Sequence, residues 1–137
     1  MNGKLYRAGL IPFIVENGTV KFLLMKPSDA KYGGEEFQIA KGKIEKGESP
    51  EEAAIREAEE ELGLVQSNIM NMSYLGNYLG RTSVFIAEIK DKHLFGTTCF
   101  ETADTIWMTL AEFDLVGRSL HLHILQDATR AILHQRT

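Results

Sequence analysis

The feature that most constrains this chain is a helix whose two ends are written into the sequence and whose body is crowded with acid. Ser49 is placed to cap it, Pro50 suits its first turn, and Glu52 completes an S-x-x-E capping box. Gly63 supplies the stop. Ala54, Ile55, Ala58 and Leu62 recur at helical spacing, so that stripe packs inward. Yet between Glu45 and Glu61 there are eight glutamates against two basic residues, Lys46 and Arg56. Like charges one turn apart repel by roughly 0.2–0.5 kcal/mol per exposed pair. The crowding needs a physical reason.

Spacing supplies one. Glu57 and Glu61 are four apart and Glu60 is three from Glu57, so the three carboxylates share a face distinct from the apolar stripe. Arg56 lies four residues from both Glu52 and Glu60 and is placed to fix either rotamer. Oxygen ligands crowded on one rigid element suit a hard divalent cation, Mg²⁺ or Mn²⁺, which turns mutual repulsion into attraction. No His or Cys stands within the motif, which argues against zinc. Gly42 and Gly47 bracket a loop just before the helix, where missing side chains let backbone approach a metal or phosphate closely. A cation held by Glu60 and Glu61 can bridge phosphate oxygens and acidify water, and Glu57 is then placed to take the proton.

From these three glutamates alone, a solvated acidic face is the commoner explanation. The full spacing reverses that. Gly42, Glu48, Arg56, Glu57, Glu60, Glu61, Gly63 and Leu64 fit the pattern G, five residues, E, seven residues, R-E-U-x-E-E-x-G-U, where U is a bulky aliphatic. This stretch resembles the Nudix box, the signature of hydrolases acting on nucleoside diphosphates linked to another moiety. Ala58 at the first U position departs from the pattern, and a small residue there alters helix packing more than chemistry. The resemblance implies that Glu60 and Glu61 ligate metal, with the Gly42 carbonyl as a further ligand, and that Glu57 is either a ligand or the general base. Glu48 and Arg56 would organise the loop–helix geometry. A later acidic residue often completes such sites; Glu101 in FETADTIWM is the first candidate and Asp104 the second.

The rest of the chain is consistent with the family's α/β/α sandwich around a mixed sheet. Leu5–Val15 and Thr19–Met25 read as strands joined by a turn at Glu16-Asn17-Gly18. Lys26–Glu35, with Pro27, Gly33 and Gly34, reads as a loop, and Glu36–Ala40 as a short strand. Met70–Leu79 and Thr82–Ile89 look like strands meeting near Gly80-Arg81, and Asp104–Met108 like another. Thr109 to Glu112 repeats the capping-box pattern, and Ser119–His134 makes a terminal helix.

A single domain over residues 1–137 is expected, with 44% hydrophobic and 25% charged residues typical of a globular chain. The formal net charge of −4 argues against binding extended nucleic acid through a broad basic face. The lone Cys99 excludes an internal disulfide, and neither a signal segment nor a membrane span is visible, so a cytoplasmic monomer or homodimer is expected.

The reaction implied is attack of water on phosphorus to cleave a pyrophosphate linkage. QIAKG before the box is similar to the PKG of dinucleoside polyphosphate hydrolases, RNA 5′-pyrophosphohydrolases and inositol-polyphosphate relatives, with Ala40 in place of proline. Lys41 is a candidate phosphate contact. Tyr74 and Tyr78 fall near the position of a substrate-stacking tyrosine in dinucleoside polyphosphate hydrolases, with Tyr78 the choice, and Arg81 could meet a distal phosphate. Dinucleoside polyphosphates such as diadenosine tetra- or triphosphate are therefore the first expectation. ADP-ribose, FAD and RNA 5′ ends follow, and oxidised nucleoside triphosphates fit less well because GG before the box is AKG here. A non-catalytic nucleotide sensor on the same fold stands below these, since every acidic position of the box is present. Phe95, Phe100 and Trp107 read as core, and His93, His121, His123 and His134 as surface or helix-packing residues.

Overall fold

The computed structural model describes residues 6–32 and 34–135. Leu5, expected to begin the first strand, and the loop residue Gly33 lie outside them. Six strands and three helices follow in the order β1 (Arg7–Glu16), β2 (Thr19–Pro27), β3 (Ala40–Lys43), α1 (Pro50–Leu62), β4 (Ile69–Tyr78), β5 (Thr82–Ile89), β6 (Thr102–Thr109), α2 (Leu110–Val116) and α3 (Leu122–Gln135). The sheet runs β4-β5-β1-β2-β6, with β3 paired to β1 off this path. Among the described strands β1 and β5 pair in parallel and the other pairs are antiparallel, so the sheet is mixed.

Strand β1 organises the molecule because one of its edges serves two partners. Its first half, Arg7–Leu10, pairs with β3, and its second half, Phe13–Glu16, pairs with β2. Ile11 and Pro12 fall in the gap between those registers. That placement explains how a proline sits inside a central strand: a residue without an N–H fits where the strand changes partner. Beyond the gap β1 and β2 diverge, and residues 37–43 wedge between them, with Gln38 bridging Met25 of β2. Ala40–Lys43 is thus the strand, whereas the sequence pattern put it at Glu36–Ala40. The pairing with β1 decides the register, and local alternation does not report a distant partner.

Alternation along β1 splits the core into two layers. Ala8, Leu10 and Ile14 face α1 together with Phe85, Ala87 and Ile89 of β5. Ile11 and Phe13 face α3 together with Val84 and Ile86. The result is an α/β/α sandwich, as expected. Helix α1 meets the sheet through Ala53, Ala54, Ala58 and Leu62, all fully or almost fully buried, while Ile55 is only partly covered. The alanine at 58 therefore belongs to a run of small residues on the face turned to the sheet. Phe95 and Trp107 pack against the same layer, but Phe100 is 87% exposed and is not core. No described helix is long and apolar enough to cross a membrane.

Candidate active site

The acidic face of α1 is built from its caps inward. Ser49 accepts from Glu52 N–H and Glu52 Oε1 accepts from Ser49 N–H, so the capping box closes reciprocally. At the other end Gly63 adopts a left-handed conformation (φ 73°), and its α-carbon faces Gly96 so closely that a Cβ would lie 2.2 Å from the Gly96 carbonyl oxygen. The free carbonyls of the last turn are taken up by the loop before β6 and by the first residue of that strand. Cys99 N–H donates to Glu60 O (2.7 Å) and Thr102 Oγ1 donates to Glu61 O (2.9 Å). Glu101 lies between those two anchors, which is how a residue far along the chain reaches the box glutamates. No sequence pattern marks Cys99 or Thr102 for this task.

Arg56 holds the acids in place. Its Nε and Nη2 bind Glu48 in a fork at 2.7 and 3.0 Å, Nη2 also donates to Lys43 O at 3.0 Å, and Nη1 reaches Glu57 at 2.9 Å and Glu60 at 3.5 Å. Glu48 in turn accepts from Glu45 N–H at 2.9 Å, so loop and helix are clamped together. The guanidinium holds the Glu48 carboxyl below its usual range, and the same pairing holds Arg56 above its own. Glu52, four residues away, is committed to the cap instead.

Glu57 is buried against Gly42, where a Cβ would sit 2.2–2.4 Å from the carboxyl atoms. Glu61 accepts from Lys41 N–H at 3.2 Å, and Glu60 is about half exposed. Burial first, then the neighbouring Glu57 charge, pushes Glu61 up to about 8; burial likewise raises Glu57, against the pull of Arg56. Two adjacent carboxyls that resist ionising are an incomplete electrostatic arrangement, and a bound cation would complete it. Among the described residues no three such side chains already converge on one point. The donor set, all oxygen and clustered against a side-chain-free glycine, is nonetheless that of a hard divalent cation.

Glu57, Glu60, Glu61, Gly42, Arg56, Lys41 and Glu101 all line one cavity of about 720 Å³. Arg7, from the start of β1, and Arg118, after α2, line it too. Sequence reasoning singled out neither. Burial, together with the charges of Arg7 and Arg118, lowers the Lys41 ammonium from its usual range.

Tyr78 and Arg81 are not among the cavity's lining residues. A register shift between Tyr74 and Gly76 turns the end of β4 over, so Tyr74 stays edge-on to Phe85 while Tyr78 packs on the α3 layer. Its hydroxyl donates to Asp127 of α3 at 2.8 Å, and burial with that carboxylate raises the phenol to about 12. Arg81 occupies the exposed β4–β5 turn, its carbonyl accepting from Arg7 N–H at 3.0 Å. Asp104 is an exposed β6 residue outside the cavity lining.

Comparison with known proteins assigns the chain to a named family. A profile of the NUDIX domain covers residues 5–128. The chain belongs to the Nudix family. It is 33% identical over 95 residues to the rat (Rattus norvegicus) bis(5′-nucleosyl)-tetraphosphatase [asymmetrical], covering 64% of this chain and 62% of the rat protein. The mouse (Mus musculus) protein of the same name is 29% identical over 116 residues, covering 79% of this chain and 76% of its own. Among solved structures, a binary complex of a C. elegans Ap4A hydrolase superposes with a TM-score of 0.75 at 18% identity, covering 96% of this chain and 99% of that one. That likeness is one of fold. The Nudix glutamates, Arg56 and Gly42 are thus set within the fold shared by those neighbours.

Proposed function

We propose that this Nudix protein is a divalent-cation-dependent pyrophosphohydrolase, cleaving the phosphoanhydride chain of dinucleoside polyphosphates in preference to other nucleoside diphosphate derivatives. One observation carries the reading: Glu57, Glu60, Glu61 and Glu101 share a single cavity with the cations Arg7, Lys41 and Arg118. The carboxylates suit a metal and the cations a phosphate chain. The names of the rat and mouse relatives favour the dinucleoside polyphosphate over ADP-ribose, FAD or an RNA 5′ end.

Hydrolases of this family generally use divalent cations, and Mg²⁺ or Mn²⁺ fits the oxygen donors here. Glu60, Glu61, Glu101 and the Gly42 carbonyl would hold it. When bound, the cation supplies charge neutralisation at the phosphoryl oxygens. Glu57 serves as general base for the attacking water: it is the most buried carboxylate of the motif, and Arg56 Nη1 fixes its direction. Arg56 and Glu48 position it without touching substrate. Lys41 presents its ammonium to the phosphates.

The test is hydrolysis in Mg²⁺ of a panel comprising diadenosine tetra- and triphosphate, ADP-ribose, FAD, oxidised dGTP and triphosphorylated RNA, run in ¹⁸O-labelled water to mark the phosphorus attacked. The highest kcat/KM is expected for a dinucleoside polyphosphate. Metal-dependent turnover of none of them, with nucleotide still bound, would make the protein a sensor instead.

A further inference from the structure

Glu101 joins the box glutamates in the cavity from a segment remote in sequence, and the way that segment is fastened is specific. Residues 99–102 form a turn closed by Thr102 N–H donating to Cys99 O at 3.1 Å, with Phe100 and Glu101 at its tip. On one side the turn is fastened to α1. Gly63 and Leu64 N–H fold back onto Ala58 and Glu59, which leaves the Glu60 and Glu61 carbonyls for other donors. Cys99 N–H and Thr102 Oγ1 are those donors. On the other side the turn is fastened to the residue after β2: Ser28 N–H donates to Glu101 O at 2.8 Å, and Ser28 Oγ to Phe100 O at 2.9 Å.

A bulge makes the two fastenings compatible. β6 pairs Asp104 with Lys26 and Thr102 with Pro27, so Ala103 is an extra residue opposite that step of β2. Without it the side chains that precede it would fall on the opposite faces of the sheet. The residues that anchor the turn are thus the ones that carry the acidic cluster. Glu60 and Glu61 line the cavity and also accept from the turn through their carbonyls, so two hydrogen bonds tie Glu101 to both. After burial and the Glu57 charge, that of Glu101 also helps to raise the Glu61 carboxyl. Two of the four fastenings are side-chain hydroxyls, and neither Thr102 nor Ser28 is among the cavity's lining residues.

Resting on the cation site of the proposed function, we infer that Thr102 and Ser28 are positioning residues: through the turn they hold Glu101 in register with Glu60 and Glu61, and so set how tightly the site takes up its divalent cation. Neither touches the cation or the substrate. Their hydroxyls act through the backbone of the residues that do.

Calorimetric titration of the full chain with Mn²⁺ alone reads this without any turnover. Thr102→Val keeps the shape and removes the hydroxyl; it should weaken uptake about tenfold, the size of loss seen when a group that orients a metal ligand is removed. Thr102→Ser should stay near the wild type, and Ser28→Ala should lose less than Thr102→Val. Thr97→Val, at an exposed position of the same loop, should change nothing. Because Thr102 acts through Glu101, Glu101→Gln combined with Thr102→Val should bind no more weakly than Glu101→Gln alone. Losses that add in the double variant would make Thr102 only an anchor of the helix end and overturn the inference. Equal affinity in wild type, Thr102→Val and Ser28→Ala overturns it too, as does a serine variant as weak as the valine one. In turnover, Thr102→Val should need more Mg²⁺ for half-maximal rate yet regain the wild-type kcat at saturating metal with KM for nucleotide unmoved; a kcat deficit that no metal concentration restores refutes the positioning role. If Thr102→Val does not fold, Ser28→Ala in the wild-type and Glu101→Gln backgrounds decides in the same way. Metal uptake governed by Thr102 in a protein that hydrolyses no nucleotide would sink the proposed function but not this inference, and metal-dependent hydrolysis indifferent to Thr102 the reverse. A wild type without Mn²⁺ uptake overturns both.

Discussion

Gly42 and Glu57 are packed so closely that a Cβ on the glycine would lie 2.2 Å from the carboxyl carbon of the glutamate. Sequence reasoning expects this glycine to admit a metal or phosphate. The structure shows that the first group it admits is the Glu57 carboxylate of its own chain. Because Gly42 sits in β3, paired with Ala8, its backbone is not free to retreat. Gly42→Ala should displace Glu57 from its contact with Arg56 and lower kcat by at least about a hundredfold, an effect of the size that misplacing one reacting group produces. Circular dichroism should show the fold retained, with KM for nucleotide changed far less than kcat.

Glu61→Gln separates stability from catalysis. In the metal-free protein Glu61 is raised from 4.5 to about 8, so the unfolded chain ionises first and this residue's contribution to stability is lost as pH rises through that window. A neutral glutamine removes the penalty. The variant should melt at or above the wild-type temperature in EDTA at pH 8, while its turnover in Mg²⁺ falls by orders of magnitude. Its metal-induced rise in melting temperature, large in the wild type at pH 8, should shrink. Undiminished activity would refute Glu61 as a ligand.

Arg56→Lys tests positioning. A lysine keeps the charge but cannot reproduce the fork to Glu48, the bond to Lys43 O and the contact to Glu57 at once. Turnover should fall at least about tenfold with magnesium affinity, measured by calorimetry, little changed. Glu48→Gln should give a milder loss of the same kind.

What the sequence disclosed follows from how local each signal is. The α1 caps and the Asn17-Gly18 turn depend on neighbours a few residues apart, and both appear where the pattern puts them. The box glutamates, one helical turn apart, are equally visible. β3 was displaced because its partner β1 lies some thirty residues earlier, roughly the separation at which alternation carries no register. Tyr78 illustrates a subtler failure: the bulge before Gly76 inverts every later side chain of β4, and nothing in the alternation announces it. Arg7 and Arg118 were invisible for a third reason. They meet across almost the whole chain, through the splay of β1 from β2, and no spacing encodes that.

The last prediction concerns His121, fully buried and outside the cavity lining. Its Nδ1 accepts from Ile39 N–H, so the ring is neutral with its proton on Nε2, an atom with no hydrogen-bond partner among the described residues. Burial, reinforced by the charges of Arg118 and Lys41, lowers it from 6.5 to about 3. The unfolded chain therefore binds a proton that the folded one refuses between those values, and stability falls as pH drops through the window. For one histidine the loss between pH 8 and pH 5 is about 2 kcal/mol. His121→Gln retains an acceptor for Ile39 N–H but has no titration there. Urea unfolding at the two pH values should show the wild type losing about that much more than the variant; parallel losses would mean that the buried imidazole is protonated in the native state.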